Sequence, residues 1–222
     1  MPSQVSHLRR DLESLKRNLL FVGKLALSEL SKALEAYDKR DVSLAQQVAD
    51  SDKLLDQKEV RVEEECLRII ALNQPVAQDL RYLISAIKIN GLIENTGDTA
   101  VQISRRAAFL ATKPPLPIEL DINSIGARVV EMFDRALQAF VNLDELEAHQ
   151  VVDMDGEVDG YYRANTNKLI TLMEQHSDLV EVALQSMHLV RHLERAADRA
   201  TDIAQQVLYI LSGDIVRHRN AV

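Results

Sequence analysis

Acidic residues at helical spacing are the feature of this 222-residue chain that could do chemistry. Near its end, Glu194, Asp198 and Asp202 recur every four residues. On a helix that spacing stacks three carboxylates on one face. At 100° per residue the same sector holds Val180, Leu184, Met187 and Tyr209, so the pattern places the strip on a face that a bundle would bury. An unpaired buried carboxylate is costly. The strip therefore needs a metal ion, an arginine partner or a place at the edge of the core.

Three more pairs share the spacing: Asp52 with Asp56, Glu94 with Asp98, and Asp155 with Asp159. Helical phase sets Glu94 and Asp98 with Leu80, Leu83, Ile87 and Val101. It sets Asp52 and Asp56 with Ala45, Val48, Glu59 and Ile70, and Asp155 and Asp159 with Val151, Tyr162, Leu169 and Met173. Helices joined by a short turn pack antiparallel, so two pairs could meet across one seam. Four converging carboxylates repel one another, and a hard or borderline cation is the usual remedy. Two plainer readings stand beside this one. Acids four apart are common on solvated helix faces, and Arg191 shares the sector of Glu194 and Asp198 while Arg81 lies near that of Glu94, which allows salt bridges instead.

The elements that must position these acids are long helices. Seven Gly, five Pro, no Trp and 46% hydrophobic residues suit an all-α fold with little material for sheet cores. Apolar residues at steps of three and four from about residue 3 to 40 predict one helix of some ten turns. Asp41 is a plausible N-cap for a second, running to about Leu72. Asn73-Gln74-Pro75 breaks it, and a third runs from about Pro75 to Thr112. Lys113-Pro114-Pro115-Leu116-Pro117 reads as a joint. Beyond it come helices over about 121–142, 144–176 and 177–211, with Ser212-Gly213 as the last stop signal.

The halves repeat. Ala36, Tyr37 and Asp41 align with Ala139, Phe140 and Asp144 at an offset of 103 residues, and Glu94 and Asp98 align with Glu194 and Asp198 at an offset of 100. The predicted fold is two tandem antiparallel three-helix bundles, six long helices in all, packed as a rod or as a pair. Residues 1–112 form the first repeat, 113–120 the proline-rich linker and 121–222 the second repeat.

Much chemistry is disfavoured. The net charge of −8 and the lack of a basic block argue against nucleic-acid binding. A lone Cys66 leaves no intrachain disulfide and no cysteine-rich zinc site, and its neighbours Val62, Ile69 and Ile70 mark it as buried. No run reaches the ~18 apolar residues of a membrane span, and the start shows no apolar signal segment. The expectation is a soluble cytoplasmic protein. His188 and His192 stand four apart but lack the intervening Glu of a metalloprotease helix. No phosphate loop, nucleophile elbow or Rossmann fingerprint is present. A di-iron carboxylate enzyme normally shows Glu-x-x-His on two helices, and no Glu here has His three residues on. That enzyme is the alternative to a non-enzymatic regulator, and a purely structural coil is a third reading.

Several stretches resemble the PhoU family of phosphate-uptake regulators. Gln74-Pro75-Val76-Ala77-Gln78-Asp79-Leu80-Arg81 is similar to its signature turn. Ile93-Glu94-Asn95-Thr96-Gly97-Asp98 and Leu193-Glu194-Arg195-Ala196-Ala197-Asp198 resemble its two Glu-x-x-x-Asp helices, and Leu12-Glu13-Ser14-Leu15 and Ile210-Leu211-Ser212-Gly213 match its frame. The resemblance implies two three-helix bundles, often as a homodimer. It implies multinuclear metal sites on the Glu/Asp-x-x-x-Asp motifs, with iron, zinc, magnesium or manganese as candidate ions. It also implies repression of the phosphate regulon through a membrane sensor histidine kinase and the ATPase of the phosphate ABC transporter, with membrane association only through such partners. Two departures stand out. Asn95-Thr96 follows Glu94 where the family more often has Arg-Ile, and Asp202 stands where it frequently has Asn.

Overall fold

The structure, a computed structural model, describes residues 2–214, with side chains other than those of residues 2–6, 51 and 52. The outermost ends of the two predicted repeats, residue 1 and residues 215–222, lie outside it. Six α-helices run in chain order: α1 (Pro2–Asp38), α2 (Val42–Asn73), α3 (Ala77–Ala111), α4 (Ile122–Asn142), α5 (Glu145–Gln175) and α6 (Val180–Ser212). One 3-10 turn (Ser177–Leu179) precedes α6, and no strand occurs among the described residues.

The repeat is visible at atomic detail in the first turn of each half. Asp41 caps α2 by accepting from the Leu44 amide at 3.0 Å, and Asp144 caps α5 by accepting from the Glu147 amide at 3.0 Å. Each follows a residue with left-handed backbone, Arg40 and Leu143, both at φ 52°. The amides of Asp41 and Asp144 close each turn on Ala36 and Ala139 carbonyls at 2.9 Å. Such a cap contributes about 1 kcal/mol. The α2–α3 and α5–α6 turns diverge: Gln74 and Ala77 take positive φ around the buried Pro75, whereas the second half uses the 3-10 turn.

The proline-rich joint is tied down on both sides. The Arg40 guanidinium donates to the carbonyls of Leu110 (2.8 Å), Ala111 (3.3 Å) and Lys113, satisfying the end of α3. The buried Asn165 accepts from the Asp121 amide at 2.9 Å, fixing the start of α4 on α5.

Buried side chains of both halves form one continuous core, so the molecule is a six-helix assembly and the packing does not divide at the joint. Within each half, the third helix packs on the other two. Between halves, α3 packs on α6 and α1 on α4. Arg81 in the first turn of α3 donates to the Ile210 carbonyl at the end of α6 (3.1 Å), and Ser85 donates to Gln206 (3.3 Å), so these two helices run antiparallel. Tyr82 stacks on Phe140 across the halves at 4.9 Å between ring centres.

The α1–α4 contact repeats the internal symmetry. Leu137 lies where a Cβ on Gly23 would sit, 2.4 Å from it, and Leu34 lies 2.6 Å from the corresponding point on Gly126. Both residue pairs are related by the 103-residue offset, so each leucine fills the notch left by the other half's glycine.

One expectation is corrected. The sector shared by Glu194, Asp198 and Asp202 is not the core face of α6. Val180 and Leu184 are 39% and 42% exposed, and Met187 and Tyr209 are half-buried. The buried face lies elsewhere on the helix and interleaves Leu189, Leu193, Ile203, Val207 and Ile210 with Ala196, Ala197, Ala200 and Ala204, small residues that let the helices approach closely. Leu80 is likewise exposed at 38%.

The paired glycines yield a graded prediction. Gly23→Ala must displace a fully buried Leu137, at an overpacking cost of about 1–3 kcal/mol, against about 1 kcal/mol gained in helix propensity. Leu34 is half-exposed and can yield, so Gly126→Ala is nearly neutral or stabilising. Thermal melts should therefore place the Gly23→Ala variant below the Gly126→Ala variant.

Candidate functional site: an acidic cluster on the α5–α6 seam

Asp155 and Asp159 of α5 meet Glu194, Asp198 and Asp202 of α6. The contact is pinned by the Thr201 hydroxyl, which donates to Asp155 Oδ1 at 3.3 Å. Asp155, Asp159 and Glu194 are half-buried, while Asp198 and Asp202 are exposed. The strip thus runs along the rim of the seam, at the edge of the core.

Its electrostatics are unfavourable without a cation. Partial burial, then the charges of Asp159 and Asp202, push the Asp155 carboxyl above its ordinary value, and only the Thr201 hydrogen bond opposes them. Burial followed by Asp198 and Asp159 raises Glu194, opposed by Arg191. Burial followed by Asp155, Asp159 and Asp202 raises Asp198, opposed by Arg199. Among the described residues, Asp155, Asp159, Glu194 and Asp198 form no ion pair. Two arginines of the second half are engaged elsewhere, Arg128 on Glu131 and Glu157 and Arg135 on Glu147.

The first half is arranged differently. Asn90 donates to the Glu59 carbonyl (2.8 Å) and to Glu59 Oε1 (3.1 Å), and Leu55 packs on Gly97, so α2 and α3 are antiparallel with Asp56 and Asp98 near one level. Asp56 nevertheless groups with Glu59, whose carboxyl is raised by burial, then by Glu63 and Asp56. Glu94 and Asp98 act instead on Arg199, which crosses from α6 and donates to the Thr99 hydroxyl at 2.5 Å. The Asp52 side chain lies outside the described residues. Arg81 is committed to the Ile210 carbonyl and is not the partner of Glu94.

Sequence reasoning missed the basic neighbour of this site. His192 is half-buried, and burial together with Arg106, Arg195, His188 and Arg199 pushes its imidazole down to about 4. The spacing 188-192-195-199 was open to reading as one helix face, whereas the approach of Arg106 from α3 was not. Cys66 is fully buried, and burial with Glu65 and Glu63 pushes its thiol up to about 12. It is a packing residue.

Five carboxylates supply hard oxygen donors, a set suited to a hard cation. Among the described residues no three acid, His or Cys side chains converge closely enough to hold an ion as they stand. Binding would have to draw them together.

The model of one family, the PhoU domain, matches the chain twice, over residues 19–107 and 122–207. The PhoU homolog of Aquifex aeolicus, a phosphate-specific transport system accessory protein, is 35% identical over 96% of each chain. The PhoU accessory protein of Escherichia coli is 31% identical over 94% of this chain and 86% of its own. The crystal structure of PhoU from Pseudomonas aeruginosa superposes with a TM-score of 0.89 at 34% identity, covering 93% of this chain and 99% of that one. That of the phosphate transport system regulatory protein PhoU from Streptococcus pneumoniae gives 0.88 at 28% identity, covering 94% and 99%.

A carboxyl whose folded-state pKa is raised contributes stability that is present at acid pH and lost as pH rises through that raised value. In chelator-treated protein at neutral pH, Asp198→Asn should therefore raise the melting temperature, by about 1–2 °C for a half-solvated group. The gain should shrink as the pH is lowered through the carboxylate range. A lower melting temperature for the variant at neutral pH would contradict the repulsive reading.

Proposed function

This chain belongs to the PhoU family, and on that premise we propose that it is a non-enzymatic accessory regulator of phosphate uptake that carries cations on its acidic seam. The relatives are named accessory and regulatory proteins of phosphate transport. The observation that carries the cation reading is the α5–α6 cluster, four of whose acids lack an ion pair among the described residues, while three are raised by burial and mutual repulsion.

Asp155, Asp159, Glu194 and Asp198 are the residues to hold the ion or ions, with Asp202 at the edge. In the first half the candidates are Asp52, Asp56, Glu94 and Asp98. The second-half cluster contains no Cys or His, which favours magnesium, manganese or iron over a soft-ligand zinc site. A bound cation neutralises the repulsion and stabilises the fold in proportion to ln(1 + [L]/Kd).

No helix among the described residues is long and apolar enough to cross a membrane. A place beside the membrane would then come through partners: the sensor histidine kinase of the phosphate regulon and the ATPase of the phosphate ABC transporter, with the protein in the cytoplasm and acting as a homodimer. In this reading it represses the regulon when phosphate is plentiful.

Two measurements test the reading. Metal analysis of tag-free protein purified without chelator should find bound cation, and Asp198→Asn should reduce both the metal content and the metal-dependent rise in melting temperature. If Arg191 were the acids' only partner, the substitution would act equally with and without chelator. Deleting the gene should leave phosphate-starvation genes active in high phosphate; unchanged repression would sink the regulatory role.

A further inference from the structure

The α3–α6 seam is two-fold symmetric in sequence register, since α3 and α6 correspond at the 100-residue offset and cross near Thr99 and Arg199. Each side of the crossing therefore carries the same set of positions, which on the first side line a groove. On the first side, Lys88, Leu92 and Asn95 of α3 line it with Asp202 and Gln206 of α6. One cation and one carboxylate balance there. The equivalents on the second side are His188, His192 and Arg195 of α6 with Gln102 and Arg106 of α3. There the carboxylate is gone and two arginines and two histidines have come in, within a chain of net charge −8.

Contacts agree with the register. Leu92 and Gln206 line the first groove together, and their equivalents His192 and Arg106 are neighbours. The charged groups acting on His192 are all basic: Arg106 from α3, and His188, Arg195 and Arg199 from its own helix. Arg199 is partly balanced by Asp98, Glu94 and Asp198. Among the described residues, Arg106, His188, His192 and Arg195 form no ion pair. By helical phase this basic strip lies about a quarter-turn round α6 from the acidic one.

A second observation concerns hydrogen bonding. In the first groove Ser85 donates to Gln206 at 3.3 Å. The equivalent bond would join Gln185 and Arg106, yet Gln185 Oε1 and Arg106 Nε are both buried without a partner among the described residues. A buried guanidinium N–H left unsatisfied is unfavourable, so a ligand that accepts it is favoured at this place.

We propose that the basic strip formed by Arg106, His188, His192 and Arg195 binds a dianionic tetrahedral oxyanion, either free phosphate or the terminal phosphoryl group of a small nucleotide. Two guanidinium groups supply directed charge-assisted N–H donors, and the two imidazole rings add further N–H donors. The site is separate from the acidic seam, and its occupation does not depend on the cation reading above.

The test is calorimetric titration of the full chain, treated with chelator so that no phosphate is held by metal, in about 0.15 M chloride to screen diffuse attraction. Inorganic phosphate and ATP are the two probes. Saturable binding of phosphate at least as tight as that of ATP identifies the free ion; tighter binding of ATP identifies a phosphorylated small molecule. Arg106→Gln and Arg195→Asn install the residues that the first groove carries at the same places. Arg195 is exposed, so its variant keeps the test open should the first misfold. Each should weaken binding by about tenfold or more, while Lys88→Ala leaves it unchanged. Binding of neither probe, equal binding by both arginine variants and the parent, or equal weakening by Lys88→Ala would overturn the proposal.

Discussion

Two long antiparallel helices, α3 and α6, cross beside Thr99 and Arg199, and nearly every feature of this molecule is set by how closely they pass. Each packs against both other helices of its own half and against the other. Both helices bury small side chains among their larger ones, with Ala100, Ala196, Ala197, Ala200 and Ala204 all buried. Small residues lower the hydrophobic gain per residue but bring backbones together, so dispersion over a long seam makes up the difference. The polar groups allowed into this seam are tied: Arg81 to a carbonyl, Ser85 to Gln206, Arg199 to Thr99. Arg106 Nε and Gln185 Oε1 are the exceptions among its described residues.

Close passage also explains the charge pattern. With the face of α6 that carries these alanines turned to the core, its charged residues are pushed to the two flanks. Glu194, Asp198 and Asp202 fall beside α5, and His188, His192, Arg195 and Arg199 fall toward α3. On α6 the i, i+4 neighbours are alike in sign, Glu194 with Asp198 and Asp202, and Arg191 with Arg195 and Arg199, while opposite charges meet only at i, i+3. A chain optimised only for stability would interleave them, because like charges four apart cost a few tenths of a kcal/mol each. The acids are countered only in part, Glu194 by Arg191 and Asp198 by Arg199.

Much of this was legible in the sequence, and the reasons differ by feature. Helix ends were readable because Asp41, Asp144 and Gly213 act through local backbone geometry, which depends on a few adjacent residues. The repeat was readable because Ala36 and Asp41 recur as Ala139 and Asp144, residues that close the same turn in both halves. The direction of burial on α6 was not. The large apolar residues that share the acid sector, Val180 and Leu184, sit on the outer flank near the helix start, where they remain exposed. The core face is marked by Leu189, Leu193, Ile203, Val207 and Ile210, which the sector drawn round the acids leaves out, and the alanines between them suit an exposed helix position equally well. The membership of the acid cluster was readable from spacing, but its rim position and the crossing of Arg199 to the first half were set by tertiary register.

Duplication gives this molecule an internal reference. When two halves share a backbone plan, a residue pair that differs between them differs for reasons other than the fold. Asp41 and Asp144 stayed alike because a helix start tolerates few substitutes. Across the α3–α6 crossing the equivalents did not stay alike: Asp202 lines the groove on one side and Gln102 stands in its place on the other, as Arg106 does for Gln206. The acid seams are joined at this crossing, since Arg199 acts on Asp98 and Glu94 of the first as well as on Asp198 of the second, and its equivalent Thr99 brings no charge. One backbone plan therefore holds two acid seams that meet a single arginine, Arg199, at the crossing of α3 and α6.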